Sequence, residues 1–190
     1  MYRCLIILSL SVLSGCAQFG NYTRNTEPLL PDTTNLPCCW QAIEQLEIEF
    51  QEKKLSMSSV IAVHNEKLTV VILDPLGRRV FTVIQQGENI QIEKSFVIQK
   101  NFPVKWLLIG IYLRYMPVSR WSSENSDWVV KSRDNYVLLE QNNRKKVILT
   151  KIIADKSTRI DSPEKNLTAR LDYPDLKLRV NITTLSRNFL

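Results

Sequence analysis

Residue types that do chemistry are scarce in this chain. Its 190 residues include one histidine, four cysteines and five glycines. One imidazole excludes a multi-histidine metal centre, and so few glycines and cysteines argue against a glycine-rich phosphate loop or a disulfide-dense scaffold. His64 stands just before an Asn65-Glu66 turn, and the nearby Ser58 and Ser59 belong to no nucleophile motif. A Gly-x-Ser-x-Gly elbow is absent, which weighs against an α/β-hydrolase. Asp and Glu fall mainly in turns and at outward strand positions, so no acid/base pair is legible. These residues predict no catalytic group, no metal and no cofactor, and hence a protein that is not an enzyme. Cys38 and Cys39 are neighbours. Adjacent Cα atoms sit about 3.8 Å apart, closer than disulfides prefer, so two thiols are expected, with an intermolecular bridge as the alternative.

The remaining chemistry is at the N-terminus. Arg3 precedes an apolar run, Cys4 to Leu13, broken only by Ser9 and Ser11. Such a run reads as a secretory signal, and as a helix of ~15 Å it covers half of a ~30 Å bilayer core. It ends in Leu13-Ser14-Gly15-Cys16. This tetrapeptide resembles the bacterial lipobox, which implies acylation at Cys16, a mature chain starting there, and anchoring by buried methylenes at ~0.8 kcal/mol each. Ala17 stands where an Asp would retain an enterobacterial lipoprotein in the inner membrane, so the expected location is the outer membrane, facing the periplasm. Residues 1–15 are then the signal peptide. The polar segment 16–37, broken by Pro28, Pro31 and Pro37, is expected to be a lipidated tether with an r.m.s. reach of about 25 Å.

From 38 to 190 the pattern is that of one β-rich domain. Leu46, Ile48 and Phe50 alternate with Gln45, Glu47 and Glu49, the two-residue period of a half-buried strand. Further short strands are expected at 57–64, 67–74, 79–86 and 89–94, and a second series at 128–132, 136–141, 146–154, 167–173 and 177–184. Hairpin spacings without helical crossovers predict an antiparallel meander. Between the two series, residues 104–116 are apolar except Lys105, Gly110 and Arg114, and prolines flank them at 103 and 117. That run predicts a helix apolar nearly all round, which must be buried on most sides. The fold expected is a mainly β, curved antiparallel sheet, an incomplete barrel with one buried apolar helix in its mouth. The net charge of +6 is a mild excess. Its clusters, Arg78-Arg79 and Arg144-Lys145-Lys146, fall in turns and read first as solvated charge, second as attraction to acidic headgroups at ~1 kcal/mol per residue.

The stretch from Leu68 through Pro75-Leu76-Gly77 to Phe81-Thr82, followed by the apolar run from Trp106 to Pro117, resembles an uncharacterised family of bacterial lipoproteins, domain of unknown function 3261. Members are often encoded beside aryl-polyene biosynthesis genes, and the family looks like a relative of LolB, which receives lipoproteins from a periplasmic carrier in an incomplete barrel. The resemblance covers roughly 46–185. It implies a hydrophobic acyl, polyene or lipoprotein cargo and a lipoprotein carrier as partner; nucleic acid is not expected as a partner of an exported, lipidated domain. A cavity for such cargo would be lined by Trp106, Ile109 and Leu113 on the helix and by Ile72, Phe81 and Val83 on the sheet. Core packing is the alternative for each. The competing functional expectation is a non-catalytic assembly accessory acting through a protein partner in the envelope.

Overall fold

A computed structural model describes residues 28–94, 102–121, 128–141, 143–152 and 168–190. The expected signal peptide, Cys16 and most of the expected tether lie outside the described residues. Ten strands and one long helix follow in order: β1 (Trp40–Phe50), β2 (Lys53–His64), β3 (Lys67–Leu73), β4 (Arg79–Gln86), β5 (Asn89–Lys94), α1 (Val104–Tyr115), β6 (Trp128–Arg133), β7 (Tyr136–Gln141), β8 (Arg144–Ile152), β9 (Thr168–Tyr173) and β10 (Leu178–Phe189).

All ten strands form one antiparallel sheet in the order β5-β4-β3-β2-β1-β10-β9-β8-β7-β6. The two meanders meet where β1 pairs with β10, while β5 and β6 remain edges, so the sheet curves without closing into a barrel. Alternation sets the faces. In β1 the even positions Trp40, Ala42, Glu44, Leu46, Ile48 and Phe50 are all buried, and the odd ones are exposed or half-buried. β10 continues to Phe189, five residues past the end expected from its sequence, because β1 offers it a hydrogen-bonding partner along its whole length, from Phe50 opposite Leu178 to Trp40 opposite Phe189. Asn65 and Glu66 turn the β2–β3 hairpin with positive φ at both residues, the geometry that matches strand twist in a two-residue loop.

Every residue of α1 is buried or half-buried, as an apolar helix without a polar face requires. It lies against the inner face of the sheet, and at Gly110 it comes closest. A Cβ at that position would stand 2.5 Å from both a methyl of Leu171 and the hydroxyl of Tyr173 on β9. The Tyr173 hydroxyl itself is buried without a hydrogen-bond partner among the described residues, and burial pushes its ionisation far above the usual phenol range.

Two expectations for the N-terminal part need correction. Residues 28–37, expected to belong to the free tether, are strapped to the end of the sheet. The Pro31 carbonyl accepts from Gln85 Nε2 at 2.8 Å, Thr33 donates to the Glu66 carbonyl and accepts from the Gly87 N–H at 2.8 Å, and Leu36 is buried. These attachments use backbone carbonyls and one hydroxyl, so they leave no apolar period to read. Cys38 and Cys39, expected as two thiols, form a disulfide with each other.

The tight approach at β9 generates a paired expectation. Gly110→Ala should destabilise the protein by about 1–3 kcal/mol through overpacking, whereas Tyr173→Phe, which deletes an unsatisfied buried hydroxyl, should be neutral or stabilising by about 1 kcal/mol. Urea unfolding monitored by tryptophan fluorescence measures both; a stabilised Gly110→Ala protein would show that the helix does not sit this close.

Candidate functional site

The registers of β10, β1, β2, β3 and β4 bring five inward residues into one row: Thr184, Glu44, Ser59, Ile72 and Phe81. The row is polar at one end and apolar at the other. α1 lies across it in the same sense, with Arg114 and Tyr115 over the polar end and Leu107, Leu108 and Ile111 over the apolar part.

At the polar end the Glu44 and Arg114 side chains retain 2% and 5% of their exposure, so this is a buried ion pair. The Arg114 guanidinium donates to Glu44 Oε1 and, at 3.1 Å, to Thr184 Oγ1. The Tyr115 hydroxyl donates to the same Glu44 oxygen at 2.5 Å, and Ser59 Oγ donates to Oε2 at 3.3 Å. Burial raises the ionisation of Tyr115 well above the ordinary phenol range; Arg114 opposes this and the Glu44 charge reinforces it, so the hydroxyl stays protonated and donates. Beside this cluster, the Arg187 guanidinium stands 5.2 Å from the Trp40 ring, 5.1 Å from Tyr115 and 5.3 Å from Phe189, within cation–π range of all three. Nearby, Tyr112 donates to buried Gln85 at 2.9 Å, the residue that also holds the N-terminal strap.

Between the helix and the row lies an interior space of about 40 Å³, bounded by Glu44, Ser59 and Arg114 at one end and by aliphatic residues and Phe81 elsewhere. That is room for little more than one water, and well below the roughly 150 Å³ that admits benzene. Of the six residues expected to line a cavity, Ile72 and Phe81 do so. Val83, Ile109 and Leu113 are placed in filled core instead, and Trp106 is half-buried with its ring 5.7 Å from that of Trp128. The expectation that carboxylates face outward fails at Glu44. Its position is readable from the sequence: counting back by two from Leu46, Ile48 and Phe50 puts Glu44 on the core face, and Arg114 is the charge that interrupts the apolar helix.

The arrangement has the chemistry of a polar terminus to an apolar interior. The Glu44 oxygens are occupied by three donors, and His64 lies exposed at the end of β2. Among the described residues no group of three or more metal-ligating side chains occurs, and no helix is long and apolar enough to cross a membrane. The basic clusters are solvated or paired: Arg78 with Asp74, Arg79 with Glu93 and Lys146 with Asp175.

The chain belongs to the family described as Protein of unknown function (DUF3261), whose model matches residues 41–186. The matched span runs from β1 into β10 and includes both members of the buried ion pair. No curated protein matches the chain.

Removing one partner of a buried pair leaves the other charge uncompensated. Glu44→Ala should therefore cost about 3–5 kcal/mol, while the double replacement Glu44→Leu with Arg114→Met should restore most of that loss. Chemical denaturation of the single and double variants measures this; a double variant as unstable as the single one would mean that the pair contributes more than mutual neutralisation.

Proposed function

We propose that this member of the family is a lipid-anchored envelope protein that binds a hydrophobic cargo between α1 and the inner face of its open sheet. The observation that supports this best is the helix itself: an apolar rod seated in the concavity of a sheet that does not close, over a residual space that is apolar with one polar end. Over the inward row its attachments are uneven. Tyr112, Arg114 and Tyr115 tie the last turns to the sheet through buried hydrogen bonds, whereas Val104, Leu107 and Leu108 meet it by apolar packing near the first turn. Because the residual space is too small for an acyl chain, the cargo takes the place of the first turns of the helix, which lift while the last turns hold. The sheet then buries its apolar face against the cargo instead of against those turns, and the apolar surface that the cargo withdraws from water offsets what the lifted turns expose.

The lipobox reading of Cys16 supplies the anchor, and Ala17 favours the outer membrane. The turn between β3 and β4 fits a protein that works at a membrane. Asp74 clamps it by accepting from the N–H groups of Leu76 and Arg78 and from the Arg78 side chain, all within 2.9 Å, and the Arg78 N–H bond is the chief cause that lowers the Asp74 carboxyl below its usual range. Leu76 is thereby held out with 77% of its surface exposed, an apolar tip beside two arginines that pair with Asp74 and Glu93, which suits insertion at a lipid surface more than attraction to its charge. The LolB relation that the sequence resemblance implies would be one of fold and anchor, and it supports a transfer role by analogy. The small size of the interior space favours a second reading, an accessory that acts through a protein partner and holds no cargo.

Two measurements separate these readings. The full-length chain extracted from its membrane should carry a hydrophobic molecule in stoichiometric amount by native mass spectrometry; a chain that is uniformly empty and recovers one stoichiometric protein partner supports the accessory instead. Cys16→Ser should release the protein from the membrane fraction and abolish palmitate labelling, and firm retention of that variant would remove the anchor from the proposal.

A further inference from the structure

At the end of the sheet opposite the N-terminal strap, an open groove of about 470 Å³ is walled by Phe50, Met57, Val80 and Phe102, with Lys53 and Lys54 on its rim. Aromatic contacts link it to the interior space. Phe102, just before α1, is buried, with its centroid 5.7 Å from Phe50 in an edge-on contact and 6.1 Å from Phe81. Phe50 and Phe102 face the groove, and Phe81 lines the interior space. A bulge between β3 and β4 near Ile72 places Val80 and Phe81 in succession on the buried side, so β4 contributes one residue to each compartment. The groove and the interior thus adjoin across the contact between Phe102 and Phe81, at the base of the helix that the proposed cargo must lift.

The charges at the outer ends of these two spaces are unlike. At the inner end an anionic head would meet the Glu44 carboxylate, whose cation Arg114 is already engaged, and burying two like charges together is unfavourable. At the rim, Lys54 pairs with Glu49 at 3.5 Å and Asp74 pairs with Arg78 at 2.7 Å, while Lys53 has no ion-pair partner among the described residues. One uncommitted ammonium matches a singly charged head, a carboxylate or a phosphodiester, better than a phosphate monoester, which carries nearly two charges, and of the two the carboxylate is the smaller to pass between the rings.

Building on the cargo reading above, we propose that the contact between Phe102 and Phe81 is the port of the site, and that the ligand class it takes is a long-chain carboxylic acid anion, bound tail first with its head at Lys53. Stearate spin-labelled near its methyl end or near its carboxyl end tests the orientation. It is added to the full-length chain in a sterol-based detergent whose rigid body does not imitate an acyl chain, and amide signals are followed by NMR. The methyl-end label should broaden the amides of Glu44 and Ser59, and the carboxyl-end label those of Lys53 to Met57. Lys53→Gln, or methyl stearate in place of the acid, should weaken binding about fivefold. Phe102→Leu should speed association. A reversed labelling pattern, or equal binding of acid, ester and the Lys53→Gln protein, would overturn the proposed orientation and ligand class while leaving a cargo site in place, and an unchanged association rate for Phe102→Leu would overturn the port. No saturable broadening of interior amides by either label would overturn the cargo reading itself. The labelling pattern and the Lys53 comparison do not depend on whether the Phe102 variant folds.

Discussion

A twelve-residue helix without a polar face can be stable in water only if something covers it on most sides, and that requirement organises the molecule. A flat sheet covers one side. Ten antiparallel strands that curve around the helix cover nearly all of it, and joining the two meanders through β1 and β10 lets one sheet reach from Gln85 on β4 to Tyr173 on β9 with the helix between. The glycine at 110 permits the closest approach, and the fully buried Trp40 and Tyr112 fill the end near the N-terminal strap. Each such large side chain contributes roughly 1.5–3 kcal/mol on burial, so the helix and its sheet stabilise each other and neither is a separate unit.

The buried charges are the exception to an apolar interior. A Glu–Arg pair removed from water gains little net stability over well-packed aliphatic residues, because desolvation offsets the attraction. What the pair does provide is register. Glu44 accepts from Arg114 and Tyr115 on the helix and from Ser59 on β2, while Arg114 also reaches Thr184 on β10, so the last turn of α1 has one seat relative to three strands. The first turns have no such seat in the row they cover, where aliphatic packing tolerates sliding and replacement. Over the row that it covers, the helix is held by hydrogen bonds at its last turn and by aliphatic packing before it.

Alternation in β1 and hairpin spacing elsewhere make the sheet legible in the sequence, and the flanking prolines mark the helix. Strand ends are less legible, because β10 is extended by its partner and its own composition does not show that. The N-terminal strap is hidden for a related reason: Pro31 attaches through its backbone carbonyl and Thr33 through a hydroxyl, and neither leaves a periodic pattern. Glu44 is legible by parity and obscured by type, since a carboxylate is expected at the surface until its position in the alternation is counted. Val83, Ile109 and Leu113 qualify as cavity lining on apolarity alone, and apolarity does not distinguish a wall from a filled core. Leu107 and Ile111 line the remaining space because they face the polar-to-apolar row, a relation that only the registers reveal.

The central claim is that cargo sits beneath α1 rather than on the outer surface, and photo-crosslinking tests it most directly. A long-chain fatty acid carrying a diazirine near its methyl end is activated with the full-length protein, and the adducts are mapped by peptide mass spectrometry. Cargo beneath the helix gives adducts on Ile72, Phe81, Leu107 and Ile111, suppressed by excess unlabelled fatty acid. Adducts confined to exposed residues such as Val129 and Leu76, with none on the inward row, would contradict it.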